Sequence, residues 1–109
     1  MATIFKNKVV KDVGTVPILA IEVSNNAKTT IVGLSLTNLL ENIVYASVLV
    51  HDDTSVEGYY LKDVMVPPNT SLRAVTNGEK LILASNNQLY LVADEENALD
   101  VIVSYVDII

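Results

Sequence analysis

Apolar and polar positions alternate with a period of two through short segments of the chain, and turn-forming residues separate each segment from the next. That period sends successive side chains to opposite faces of a strand, whereas a helix would repeat its apolar positions every three or four residues. The pattern predicts strands over residues 3–11, 16–23, 29–38, 43–51, 59–66, 72–76, 80–84, 88–93 and 99–108. Leu19, Ile21 and Val23 share one predicted face of the second segment, where Pro17 suggests a strand edge. In the third, Val32, Leu34 and Leu36 oppose Ile31, Gly33, Ser35 and Thr37. In the fourth, Val44, Ala46, Val48 and Val50 oppose Tyr45, Ser47, Leu49 and His51, and apolar residues on both faces predict a central strand.

The breaks are equally legible. Asp12-Val13-Gly14, Ser24 to Lys28, Leu39 to Asn42, Asp52 to Gly58, Pro67 to Thr70, Ser85 to Asn87 and Asp94 to Asn97 all carry turn residues. Asn77-Gly78 tolerates the positive φ of a tight type I′ turn, which predicts a hairpin between the segments on either side. Eight or nine short strands with turns about every 8–12 residues indicate an all-β fold, a two-sheet antiparallel sandwich or jelly roll, with residues 1–109 as one domain. Only a short turn near residues 39–46 could be helical.

Composition narrows the function. Half of the 109 residues are hydrophobic and 18% are charged, so the chain must fold and bury surface. A net charge of −6, with seven scattered Lys and Arg, speaks against binding nucleic acid. No apolar run reaches the roughly 18 residues that cross a bilayer, and the first residues lack a signal-peptide pattern, so the expectation is a protein made in a cytoplasm and not placed in a membrane. With no cysteine, disulfides and thiolate metal sites are absent.

The candidate chemistry is sparse. His51 is the single histidine; it lies beside Asp52 and Asp53, but no cysteine or Gly-x-Ser-x-Gly serine accompanies it, so it reads as a strand-end histidine and the chain as no enzyme. The acidic groups Asp52, Asp53 and Glu57, and Asp94 to Glu96, lack calcium-loop spacing and read as solvated loop tips, with no metal or cofactor expected. The glycines are isolated, and Asn69-Thr70-Ser71 matches a glycosylation triplet that chance often produces. Tyr45, Tyr59, Tyr60, Tyr90 and Tyr105 are spread over several segments. Tyr59 and Tyr60 are adjacent on a strand, so one must face away from the core, and Asp52, Asp53, Glu57, Tyr59 and Tyr60 form a candidate recognition loop for a carbohydrate or host surface.

An excess of apolar residues on both faces remains. In the last segment Val101, Val103 and Tyr105 share one face and Ile102, Val106 and Ile108 the other, although a sandwich buries only one face of each sheet. These six residues are the candidate interface, with a second copy of the chain or another subunit as the expected partner; a covering loop or an N-terminal strand folded across the face is the competing account and predicts a monomer.

Three stretches carry a resemblance: Ile4-Phe5-Lys6-Asn7 with Asp12-Val13-Gly14, residues 29–38, and residues 100–108. Together with Val66 to Leu72 and Lys80 to Leu83, they resemble a family of small virion structural proteins of tailed bacteriophages, common in phages of cyanobacteria and other aquatic bacteria. The chain departs from that pattern at Ser85-Asn86-Asn87, where relatives tend to have a Gly-Asp turn. The resemblance implies a virion protein made in the host cytoplasm, a capsid decoration or cement protein or a neck or tail component. Its implied partners are its own copies and other virion proteins such as the major capsid protein, and it brings no catalytic residue.

Overall fold

A computed structural model describes residues 2–75 and 80–109. Among these residues every regular element is a strand: β1 (Thr3–Val13), β2 (Ile18–Glu22), β3 (Lys28–Asn38), β4 (Val44–His51), β5 (Glu57–Val66), β6 (Ser71–Val75), β7 (Leu81–Leu83), β8 (Gln88–Ala93) and β9 (Leu99–Ile108). They form two antiparallel sheets. One has the order β1-β9-β3-β6, with β7 also on β3, and the other has the order β2-β8-β4-β5.

The pairings are nested. β1 lies on β9, β2 on β8, β3 on β6 and β7, and β4 on β5, so the chain is one long antiparallel ribbon rolled until its halves face each other. Two further contacts, β3 with β9 and β4 with β8, close each sheet. This is the jelly roll. It contains eight strand positions because β6 and β7 occupy one of them, running the same way along the same edge of β3. The segments flanking Asn77-Gly78 are therefore in line and do not pair as a hairpin; the turn itself lies outside the described residues.

The inner faces meet in one core, with Val13, Ile31, Leu36, Val48, Leu91 and Val101 among its fully enclosed side chains. The accessible surface, 6125 Å², is close to the about 5,900 Å² expected of a folded monomer of this mass, so the core closes without a partner.

Three bulges correct the faces expected from strict alternation. In β3 the pairing with β9 slips between Ile31 and Gly33, which turns Val32 outward and brings Ile31 into the core beside Leu34 and Leu36. In β2 a slip between Leu19 and Ile21 buries Ala20 with Ile21 and leaves Leu19 on the outside. In β1 the slip lies between Val10 and Val13, with Asp12 at a φ of 55°, so the expected break continues as strand and Val13 enters the core. β4 is interior to its sheet, between β8 and β5.

Candidate functional site

The fold leaves three surfaces on which function could rest: the two outer sheet faces and the loops at one end. At that end the turns before β2, β4, β6 and β9 meet. Asp94 and Glu96 are exposed there and Glu95 is half-buried, and all three carboxylates accept hydrogen bonds from neighbouring loops. Asp94 Oδ1 accepts from the Tyr45 amide at 2.9 Å, Glu95 accepts from Asn42 Nδ2, and Glu96 accepts from both the amide and the hydroxyl of Thr15. The Thr15 hydroxyl, then its amide, holds the Glu96 carboxyl below the usual carboxylate range. A Cβ at Gly14 would stand 2.8 Å from a Glu96 carboxylate oxygen, so a larger residue there would make that flexible side chain shift.

Asn38 sits behind these loops, and sequence reasoning passed over it as the last residue of a strand. It is buried, and its Nδ2 donates to the carbonyls of Asn42, Val66 and Pro67 at 2.9–3.1 Å while its Oδ1 accepts from the Leu40 amide at 2.8 Å. One side chain thus ties the β3–β4 corner to the end of β5. An asparagine before a turn is common, and only the long-range partner sets this one apart.

The outer face of the four-stranded sheet carries the tyrosines. Cross-strand pairing sets Leu19, Tyr90, Leu49 and Tyr59 in one transverse row, and Tyr45 with Met65 in another. Tyr59 is 55% exposed, with the Lys62 ammonium 5.5 Å from its ring centre. Tyr60 points the other way and packs, half-buried, against the core. Asp52 closes the loop on itself: its Oδ1 accepts from the Thr54 hydroxyl and from the amides of Thr54 and Val56, which together lower its pKa. Asp53 lies exposed beside it. His51 meets Glu57 across the β4–β5 pair and its ring lies 4.8 Å from that of Tyr90. His51 thus contacts a carboxylate and a phenol ring.

The outer face of the five-stranded sheet is the most apolar surface. Phe5, Val106, Thr30 and Ile82 lie in one row across four strands, Asn7, Ser104 and Gly33 in the next, and Val9, Ile102 and Ser35 in the one after. Phe5 is 81% exposed, Ile82 69% and Val9 54%, with Val32 and Ile102 also exposed. Of the six candidate interface residues, Ile102, Val106 and Ile108 belong to this face. Val101 and Val103 are fully enclosed in the core, which removes these two from any surface, and half-buried Tyr105 packs against the core on the same side of β9.

Compared with protein-family models, curated proteins and solved structures, the chain matches none of them.

Proposed function

We propose that the domain is a non-enzymatic structural component of a virus particle, a capsid decoration or cement protein that packs the outer face of its five-stranded sheet against neighbouring subunits. The observation that carries this reading is the set of Phe5, Ile82, Val9 and Ile102, exposed on one outer sheet face with half-buried Val106 among them, on a domain whose core is already closed. The exposed parts of these side chains stay in water in the isolated domain; a second surface over them would remove them from it at about 25 cal/mol per Å². The sequence resemblance points to a virion, and jelly rolls serve as capsid and lectin domains alike, so fold alone does not choose between them. Mass spectrometry of purified particles from the virus encoding this chain tests the reading: the protein is expected at a copy number proportional to a shell, neck or tail component, and its absence from particles would overturn it.

A second reading, a carbohydrate or host-surface binding module, has the tyrosine face in its favour. Tyr59 and Tyr45 present rings to solvent on the same sheet face, as stacking on a sugar ring requires. Glycan binding lost on Tyr59→Ala would favour it over the assembly reading.

A further inference from the structure

The two sheets expose four edges, and three of them are blunted against strand pairing. β2 has only five residues, follows Pro17 and is bulged at Ala20. β5 is broken by the bulge at Lys62 and Asp63, where Asp63 takes a φ of 49° and its amide bonds the Ser47 hydroxyl at 3.0 Å. The β6–β7 edge is split into pieces of five and three residues. Short strands, prolines and bulges are the devices that keep an edge from templating a foreign strand. β1 is different: eleven residues long, it pairs in unbroken register with β9 from Thr3 to Val10, and among the described residues no other strand pairs with it.

β1 also has the wrong charge for its molecule. Residues 3–11 hold Lys6, Lys8 and Lys11 and no acid, in a chain of net charge −6. The occupied side of β1 shows what such a strand accepts. β9 sets Val106 and Ile102 opposite Phe5 and Val9, and Asp107 and Asp100 reach Lys6 and Lys11 at 3.5 and 3.7 Å. Lys8 has no ion pair among the described residues.

We propose that the free edge of β1 is a strand-addition site for an extended acidic segment of another protein, with carboxylates opposite Lys6 and Lys8 on one face and apolar residues opposite Phe5 and Val9 on the other. Main-chain hydrogen bonds supply the binding and the alternating side chains the selectivity. A second copy of this chain is the wrong occupant. The run Phe5-Lys6-Asn7-Lys8-Val9 is nearly symmetric about Asn7, so the antiparallel register of two β1 edges that sets Phe5 against Val9 also sets Lys6 against Lys8 of the other copy, and like charges directly opposite repel. The lysines thus reject self-pairing and admit a carboxylate-bearing strand. The site shares Phe5 and Val9 with the apolar face but does not depend on the virion reading, because its main-chain pairing uses the free edge of β1 whether or not that face is covered.

The test is amide hydrogen exchange by NMR on the full chain, with a short synthetic peptide alternating valine with glutamate and threonine, and the same peptide carrying lysine for glutamate. The glutamate peptide is expected to slow the outward-pointing amides of residues 3–9 by about tenfold, as about 90% occupancy would, with the β5 amides unchanged as a control for folding. It is expected to bind about tenfold more tightly than the lysine peptide, and the Lys6→Glu/Lys8→Glu variant to reverse that order. Equal binding of the two peptides, protection at another edge, or none at millimolar peptide would overturn the proposal while leaving the particle assignment standing.

Discussion

Replacing Asn38 is expected to loosen two corners at once. Asn38→Ala leaves the carbonyls of Asn42, Val66 and Pro67 without their donor, a loss of about 1–3 kcal/mol by urea unfolding. Asn38→Asp is expected to be worse at neutral pH, because it sets a buried carboxylate against carbonyl oxygens. That arrangement raises the folded-state pKa of the new aspartate, so its penalty is full at high pH and is relieved as pH falls through the raised value. Glu96 and Asp52 behave in the opposite sense. Their folded-state values are depressed, so the bonds to Thr15 and to Thr54 and Val56 are stabilising at neutral pH. That contribution declines as pH drops below the ordinary values of 4.5 and 3.8 and is lost once the depressed values are passed. Thermal melts from pH 7 to 2 are expected to fall more steeply for the native chain than for Glu96→Gln. At this scale the sequence was legible where neighbours decide, as at Tyr59 and Tyr60, whose adjacency forced them to opposite faces. It was silent on Asn38 and Glu96, whose partners are distant in the chain.

Elements were legible to within a few residues at their ends, because alternation and turn residues are local. Their faces were not always so. A single inserted residue reverses every later side chain, and nothing in Ile31-Val32-Gly33-Leu34 announces where the extra residue falls. The bulge that turns Val32 outward lets Ile31, Leu34 and Leu36 share the core, which alternation alone had divided. Gly33 is not held by its backbone or by crowding: a Cβ there would lie 3.5 Å from that of Ser104, an ordinary contact. Gly33→Ala is therefore expected to be neutral or to stabilise by up to about 1 kcal/mol, through a less flexible unfolded chain. In β8, by contrast, Leu91→Ala empties a fully enclosed position and is expected to cost about 2–5 kcal/mol in the same unfolding assay. The hairpin expected around Asn77-Gly78 failed in its flanking strands for a related reason, since β3 recruits both pieces to one edge.

At the scale of the molecule, the two-sheet sandwich followed from strand count and spacing, whereas the nesting that makes it a jelly roll depends on pairings such as β1 with β9 that no local pattern encodes. The closed core and the open apolar face then separate two questions that the sequence had merged: what folds the chain, and what covers it. Val101 and Val103 answer the first, and Phe5, Val9, Ile82 and Ile102 pose the second. If subunit contacts cover that face, charge placed in its middle must disrupt association without disturbing the fold. The measurement that tests this most directly is solution mass by light scattering over a concentration series, for the native chain and for Phe5→Glu/Ile102→Glu. The account predicts that the native chain rises to a defined oligomer and the variant stays monomeric with an unchanged melting temperature. A native chain that is monomeric at every concentration, or a variant that assembles equally well, would contradict it.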